Sequence, residues 1–249
     1  MTFLSGPLPR IIAHRGLATE APENTLLAFL HALSAGATHL ETDVHASADG
    51  VAVVSHDPDL SRVAGRSVRV EQLTMAELRR IDLGHGQTFC SLAEALDAFP
   101  EARFNIDIKD ERSALPAARA ILDAHAVDRV LITSFDEKRR KATTDALPGV
   151  ASSASVTRFL PAILAAKLGI TALARRSLRG LVAVQIPERR GPLRLVTRHT
   201  VRVLHEAGVE VHVWTVNDPT QMIRLLDLGV DGLVTDRCDI LKTLVTAGN

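Results

Sequence analysis

Short apolar runs alternate along this chain with longer stretches in which apolar residues recur every three or four positions. The short runs predict eight buried strands, and the longer stretches predict the helices that separate most of them. The predicted strands are residues 10–14, 38–45, 103–109, 129–135, 150–155, 180–187, 209–217 and 230–236, with 51–56 as an additional hairpin arm after an Asp-Gly turn. Strands that alternate with helices in this way favour parallel βαβ units.

Eight such units in a chain of 249 residues predict a (β/α)8 barrel, or TIM barrel, that spans residues 1–249 as a single domain. A doubly wound open sheet is the alternative, and it is less favoured because no G-x-G-x-x-G follows any predicted strand. Residues 57–90 interrupt the alternation, since they are polar and contain one short helical piece at 74–81. They predict a small inserted subdomain after the second strand.

Composition indicates which partners the chain is expected to bind and in which cellular compartment it is expected to lie. Lys and Arg together number 29 and so do Asp and Glu, so the chain has no formal net charge and is not expected to bind nucleic acid. Cys90 and Cys238 lie far apart without a CxxC spacing, which favours a reduced, cytoplasmic setting over a disulfide framework. The sequence predicts neither a signal peptide nor a membrane span. It leaves the oligomeric state open between a monomer and a homodimer.

Charged residues lie on strand-like segments where a purely structural barrel would have apolar ones. Glu41 and Asp43 are two positions apart and share a face, and Asp107 is expected to point inward because Ile106 and Ile108 should pack outward. Carboxylates that converge in a barrel mouth repel one another, and a divalent cation relieves that repulsion. Mg²⁺ or Ca²⁺ is expected, whereas zinc is disfavoured because cysteine and paired histidine ligands are lacking. Salt bridges at the barrel rim are the alternative interpretation.

Other polar residues end strands on the same predicted face. His14 and His56 each end an apolar strand, and a pair of histidines can supply an acid and a base at neutral pH. Arg15 and Lys109 add positive charge beside the predicted metal, which suits an anionic substrate such as a phosphate ester. Trp214, the only tryptophan, is either a core residue or an apolar wall for a substrate at the rim.

Seven motifs together are characteristic of one family. They are HRG at 14–16, APENT at 21–25, LETDVH at 40–45, DGVAVVSHDP at 49–58, NIDIK at 105–109, HVWTVND at 212–218 and DGLVTD at 231–236. In this order, and over nearly the whole chain, the sequence resembles the glycerophosphodiester phosphodiesterase family. The resemblance implies a metal-dependent (β/α)8 hydrolase of glycerol and lipid metabolism. Such an enzyme hydrolyses glycerophosphodiesters, which are small molecules, to glycerol 3-phosphate and an alcohol.

The resemblance also implies the residues that carry out the chemistry. His14 and His56 match the acid–base pair of the family, and Glu41 and Asp43 match two ligands of a single divalent cation. The third ligand in the family is commonly glutamate, as in NIEIK, whereas this chain has Asp107, which keeps the charge and loses one methylene of reach. The attacking oxygen is left open between water and the substrate's own neighbouring hydroxyl.

Four further positions match residues that contact substrate in the family. Arg15 and Lys109 match phosphate-contacting positions, Glu23 in PENT matches a position near the reaction centre, and Trp214 matches the aromatic rim residue. The segment 57–90 corresponds to the small inserted subdomain of the family.

The runner-up function is a lysophospholipase D-type hydrolase that acts on lipid phosphodiesters with the same core chemistry. Its marker is the stretch 158–176, an apolar helical segment that ends in basic residues. Ordinary barrel packing is the favoured interpretation of this segment, and weak contact with a membrane surface is the other.

Overall fold

Eight parallel strands form a nearly closed barrel in the structure, a computed structural model that describes residues 2–247. The strands are β1 (Arg10–Ala13), β2 (His39–Ala46), β3 (Phe104–Ile108), β4 (Val130–Thr133), β5 (Ala151–Ser152), β6 (Ala183–Pro187), β7 (Glu210–Trp214) and β8 (Gly232–Thr235). From β1 to β5 each strand pairs with the next along the chain, β6 pairs with β7 and β7 with β8, and β8 pairs in turn with β1. A single bridge between Ser153 and Ala183 joins β5 to β6. The predicted (β/α)8 barrel is confirmed.

Helices flank the strands and follow them in the chain. They are α1 (Leu26–Ser34), α2 (Ser61–Ala64), α3 (Met75–Leu78), α4 (Leu92–Ala98), α5 (Ala114–Asp123), α6 (Glu137–Asp145), α7 (Val156–Lys167), α8 (Thr171–Ser177), α9 (Arg198–Glu206), α10 (Pro219–Asp227) and α11 (Cys238–Ala247). Ser91 and Glu94 form a capping box at the start of α4, as their spacing predicts. Among the described residues, no helix is long and apolar enough to cross a membrane.

The two faces of the barrel strands carry different side chains. Leu40 of β2 and Ile106 of β3 are fully buried in the main hydrophobic core. The residues that alternate with them line a cavity inside the barrel, among them Asp43 and Asp107, which are direct neighbours in the β2–β3 register. The period of two along a strand therefore separates packing residues from residues available for chemistry, as the sequence pattern predicts.

The N-terminal segment closes the base of the barrel, opposite the carboxyl ends of the strands. Phe3 is 1% exposed, and its ring centroid lies 4.6 Å from that of His39. The guanidinium of Arg10 donates to the carbonyl of Gly6 at 2.9 Å and pairs with Glu210 at 2.9 Å. Burial lowers the pKa of His39 to about 3, so this histidine is neutral and structural.

An insertion separates β2 from α4. The chain turns at Asp49-Gly50 and returns as the antiparallel strand Ala52–Val54, which pairs with the end of β2. Residues 57–90 then contain α2, a 3-10 turn at Val70–Gln72, α3 and a hairpin of Asp82–Gly84 with Gln87–Thr88. The helix expected over 74–81 is shorter than predicted. Apolar side chains of the insertion pack into a small separate core of Val53, Leu60, Val70, Met75, Leu78, Ile81 and Phe89.

Two other segments differ from the sequence expectation. Residues 158–176 form two helices, α7 and α8, instead of one helical stretch, because the chain leaves the helix at Gly169, whose φ is +71°. Between β6 and α9 the chain forms a small hairpin of Arg189–Arg190 with Leu193–Arg194, which the hydrophobic pattern does not predict.

Candidate active site

A cavity of about 210 Å³ lies at the carboxyl ends of the strands and brings most of the predicted site residues together. Eight of the nine line it: His14, Arg15, Glu41, Asp43, His56, Asp107, Lys109 and Trp214. The ninth, Glu23, lies behind Arg15, in contact with its guanidinium. The site therefore lies at the end of the barrel where (β/α)8 enzymes carry out their chemistry.

The turn after β1 is forced into an unusual backbone shape by its packing on α1. Arg15 and Gly16 have φ values of +56° and +84°. A Cβ on Gly16 would lie 2.7 Å from the backbone carbonyl carbon of Ala28, so only glycine fits there. This turn directs the Arg15 backbone N–H toward Glu41, whose Oε2 accepts it at 3.0 Å.

Three carboxylates from β2 and β3 are buried at the floor of the cavity. Glu41, Asp43 and Asp107 are 6%, 1% and 6% exposed. The ammonium of Lys109 lies between two of them, 2.7 Å from Asp43 Oδ1 and 2.7 Å from Asp107 Oδ2. Asp43 Oδ2 accepts a hydrogen bond from Asn24 at 3.1 Å, while Asp107 Oδ1 is buried without a hydrogen-bond partner among the described residues.

The charges of these groups are strongly interdependent. Burial and the nearby charge of Asp43 raise the pKa of Glu41 to about 8. Burial also raises the pKa of Asp107 above its ordinary value, although Lys109 opposes this effect. For Asp43, burial acts in the same direction, but Lys109 and Arg15 hold the pKa of that carboxyl below its usual range. The negative charge of Asp43 is thus compensated by neighbouring cations, whereas the negative charges of Glu41 and Asp107 are compensated only in part.

This donor set has the chemistry of a site for a hard divalent cation. Carboxylate oxygens are the ligands that Mg²⁺ and Ca²⁺ prefer. The unpartnered Oδ1 of Asp107 and the raised pKa of Glu41 both indicate that positive charge is lacking at the floor of the cavity. Within residues 2–247, however, no group of three or more His, Cys, Asp or Glu side chains is arranged to hold a metal ion. The Lys109 ammonium lies between two of the three carboxylates.

His14 belongs to a hydrogen-bonded chain that starts at the end of β8. Its Nδ1 lies 2.7 Å from Asp236 Oδ1, and Asn217 Nδ2 donates to Asp236 Oδ2 at 2.6 Å. Since a carboxylate only accepts hydrogen bonds, Nδ1 carries the proton and Nε2 is left to face substrate. Burial lowers the pKa of His14, but the hydrogen bond to Asp236 and the charge of Glu41 outweigh it, and the net pKa is raised.

His56 has an equivalent carboxylate partner on the other side of the cavity. Its Nδ1 lies 2.7 Å from Oδ1 of the next residue, Asp57. His45 Nε2 lies 3.1 Å from the His56 carbonyl, and His45 Nδ1 lies 2.7 Å from Asp110. His45 therefore supports the backbone of His56 from behind instead of lining the main cavity.

Two ion pairs hold Glu23 in place. Arg15 Nη1 donates to Glu23 Oε1 at 3.0 Å, and Arg62 Nη2 donates to the same oxygen at 2.6 Å. Burial alone would raise the pKa of Glu23, but these two guanidinium groups lower it below its ordinary value. Glu23 thus orients Arg15 toward the cavity, where Arg15 Nε lies 3.4 Å from Asp43 Oδ2.

One wall of the cavity is apolar. Trp214 stands at the end of β7 in edge-to-face contact with Phe135, and the two ring centroids are 5.6 Å apart. Val156 and Phe159 of α7 continue this wall, and Phe135 is 56% exposed at its outer edge. The cavity therefore has a charged side for an anion and an apolar side for the carbon skeleton attached to it.

The fold and site define a hydrolase of phosphate esters. Its two histidines are of a type that can transfer protons, its carboxylates are of a type that can hold a cation, and its Arg and Lys side chains are of a type that can compensate an anion. The sequence matches the Glycerophosphoryl diester phosphodiesterase family over residues 14–240. The chain therefore belongs to this family of phosphodiesterases, which confirms the enzyme class and the glycerophosphodiester substrate class predicted from the sequence motifs. The family is generally dependent on a divalent metal ion.

Individual relatives show the extent of the similarity. The chain is 41% identical over 238 residues to the probable glycerophosphodiester phosphodiesterase 2 of Mycobacterium tuberculosis, covering 95% of this chain and 90% of the relative. It is 28% identical to the lysophospholipase D GDPD1 of Mus musculus, covering 94% of this chain and 85% of the relative. An Oleispira antarctica phosphodiesterase, solved in complex with sn-glycerol-3-phosphate, superposes with a TM-score of 0.81 at 24% identity, covering 96% and 97% of the two chains.

Sequence reasoning missed the residues that support the predicted ones. Asn24 precedes Thr25, the N-cap of α1, and its side-chain amide donates to Asp43. Asp236 ends the last predicted strand, far from His14 in sequence. Their contact becomes visible only when the barrel closes and β8 pairs with β1. Arg62 lies in the polar stretch 57–90, in which the sequence pattern does not indicate its partners. The cytoplasmic setting and the oligomeric state stay predictions.

Proposed function

We propose that this chain hydrolyses glycerophosphodiesters to glycerol 3-phosphate and an alcohol by acid–base catalysis with His14 and His56. The observation that carries the proposal is that these two histidines line one cavity with the buried carboxylate cluster, and each has a carboxylate on its Nδ1. This arrangement leaves both Nε2 atoms available for proton transfer.

Charged residues of the cavity would bind the phosphate diester. Glu41, Asp43 and Asp107 would hold one divalent cation, Mg²⁺ or Ca²⁺, which supplies Lewis-acid polarisation of a phosphoryl oxygen when bound. The guanidinium of Arg15, fixed by Glu23, and the ammonium of Lys109 would compensate the charge that grows on the phosphoryl oxygens in the transition state.

The two histidines would move the protons. Asp236 and Glu41 raise the pKa of His14 and so favour its doubly protonated form, with one proton on Nδ1 and one on Nε2. The Nε2 proton would pass to the departing alkoxide as the P–O bond to the alcohol breaks, and Nδ1 would keep its proton toward Asp236. His56 would take the proton from the attacking hydroxyl as the new P–O bond forms. The attacking oxygen and the departing alcohol oxygen would lie on opposite sides of the phosphorus atom, and hydrolysis with one water in total gives the alcohol and the phosphate monoester, glycerol 3-phosphate.

Replacement of either histidine tests this mechanism. His14→Ala and His56→Ala should each lower kcat on glycerophosphocholine by about two to four orders of magnitude, because each removes a proton-transfer group. The measurement is steady-state release of choline with Mg²⁺ or Ca²⁺ present. The matched control is His199→Ala, which replaces an exposed histidine on α9 and should keep wild-type kcat. Turnover near the wild-type value in either active-site variant would rule out this mechanism.

A second candidate is hydrolysis of lysophospholipids, in line with the name of the mouse relative. The apolar wall supports it, because Phe135 is 56% exposed at the cavity edge and Leu160 and Leu164 of α7 are 39% and 62% exposed. An acyl chain attached to the glycerol would extend along this wall and over α7. The same exposed leucines are where 158–176 would touch a lipid surface.

A pair of substrates separates the two candidates. If the wall binds an acyl chain, Phe135→Ala should lower kcat/KM for lysophosphatidylcholine about tenfold and change kcat/KM for glycerophosphocholine less than about twofold. Leu122→Ala, which removes a 47% exposed apolar side chain from α5, is the control. Equal losses on both substrates would assign Phe135 to the glycerol side and remove the support for the lipid candidate.

A further inference from the structure

The insertion contributes one cation to the immediate surroundings of the predicted active site. Arg62 is the second residue of α2, and its side chain is 51% exposed. A solvated arginine on a short surface helix would normally point outward with little consequence. Here the guanidinium instead contacts two carboxylates next to residues that line the cavity, namely Asp57 beside His56 and Glu23 behind Arg15.

The first contact completes a chain that ends on His56. Asp57 uses Oδ1 for the imidazole of His56 at 2.7 Å and Oδ2 for Arg62 Nε at 2.6 Å. Both carboxylate oxygens are therefore committed, and the carboxylate cannot rotate away from the imidazole without breaking the ion pair. The guanidinium fixes the plane of Asp57, and Asp57 fixes the ring and the tautomer of His56.

The second contact anchors Arg62 itself. Its Nη1 and Nη2 donate to the two oxygens of Glu23 at 3.0 Å and 2.6 Å, so the pair is bidentate. Glu23 is held from the other side by Arg15. Because the guanidinium is fixed at three of its nitrogens, its position relative to Asp57 is set by the barrel as well as by α2.

The two histidines differ in what stands behind their carboxylates. Asp236, the partner of His14, is held by the neutral amide of Asn217. Asp57, the partner of His56, is held by a cation. The carboxylate beside His14 is bonded to a neutral amide, and the carboxylate beside His56 is bonded to a cation. The two histidines therefore have different electrostatic surroundings, which suits one acid and one base.

We propose that Arg62 is a positioning residue for the reaction: it holds Asp57 against His56, so that the insertion orients the general base. The inference rests on the proposed function of His56. It assigns a role in the chemistry to the segment over 57–90.

The test combines kinetics with a spectroscopic measurement. Arg62→Ala should lower kcat on glycerophosphocholine about ten- to a hundredfold, because His56 loses its fixed orientation. KM should change less than about threefold, since Glu23 still holds Arg15.

In imidazole ¹H–¹⁵N NMR spectra, His56 of the wild type should show the tautomer with the proton on Nδ1, and the variant should show a mixture. Added guanidinium should restore part of kcat, and Arg62→Lys should retain more activity than Arg62→Ala.

The matched control is Arg66→Ala, in the same insertion. Arg66 makes no side-chain hydrogen bond or ion pair within residues 2–247, so its loss should change neither kcat nor the tautomer. If Arg62→Ala unfolds in a thermal melt, Arg62→Gln replaces it and should show the same two effects. Wild-type kcat with an unchanged His56 tautomer in a folded Arg62 variant would overturn the inference. Failure of the proposed function is a separate result, namely full activity of His56→Ala.

Discussion

At the scale of single residues, the predictable part of the site is the set of side chains that strands carry to the barrel mouth. Glu41, Asp43 and Asp107 follow from a period of two beside apolar neighbours, and the structure buries all three. Their partners could not be predicted, because they come from loops whose paths depend on the whole fold. Asn24 is an example, since only its left-handed backbone, with φ of +56°, turns its amide toward Asp43.

The pairing of His14 with Asp236 gives a pH dependence with a definite sign. In the proposed mechanism His14 is the acid, so activity should be lost as pH rises through its pKa, which is raised above the ordinary value for histidine. Asp236→Asn removes the charge that favours the protonated ring. The alkaline limb of the kcat/KM profile should therefore move about one pH unit lower.

Asp239→Asn is the control for this pH profile. Asp239 is the ion-pair partner of Arg237 and lies three residues from Asp236, so its loss changes the local charge without touching His14. The prediction is wrong if Asp236→Asn leaves the alkaline limb where it is in the wild type.

At the scale of elements, the strands were predictable as a set because eight apolar runs alternate with helical periods. Their lengths were less predictable. Residues 150–155 were expected to form a strand, yet only Ala151–Ser152 pair, because small side chains give a weak strand and the chain soon enters α7. The division of 158–176 into α7 and α8 depends on Gly169. The apolar pattern continues across this glycine, so the pattern alone does not predict that the helix ends there.

The contact between the turn after β1 and α1 can be measured as stability. Gly16→Ala should lower the free energy of unfolding by about 3 kcal/mol, since the added Cβ meets the Ala28 backbone at 2.7 Å in addition to an unfavourable φ. Gly50→Ala has a similar φ of +77° and open space around the Cβ, so it should cost only about 1 kcal/mol. Denaturant unfolding gives both values. Equal losses of unfolding free energy in the two variants would show that the close approach of Gly16 to α1 does not contribute to the effect of the substitution.

At the scale of the whole molecule, the barrel concentrates negative charge at one end and encloses it. Three buried carboxylates with the compensation that Arg15 and Lys109 provide store unfavourable energy in the folded chain, as the pKa of Glu41, raised to about 8, indicates. A cation that binds only the folded state would release this energy and stabilise the fold.

Thermal unfolding should report that cation without any assay of activity. At about 100 times Kd, Mg²⁺ or Ca²⁺ should raise Tm by about 5–10 °C relative to EDTA, because binding then contributes about 2.7 kcal/mol. Glu41→Gln should reduce the increase, whereas Glu71→Gln, at an exposed position in the insertion, should keep it. An unchanged Tm in wild-type protein at saturating cation would contradict the predicted metal site.

The meeting of β1 and β8 also determines when a newly made chain can become active. His14 follows the first strand of the barrel to be made, and its partner Asp236 follows the last strand of the barrel. A nascent chain that stops before Gly232 already contains the carboxylate cluster, His56 and Arg62, but His14 has no carboxylate on its Nδ1. If His14 is the acid, catalytic competence therefore requires the last strand of the barrel, and a chain that terminates before β8 should not release glycerol phosphate at the normal rate.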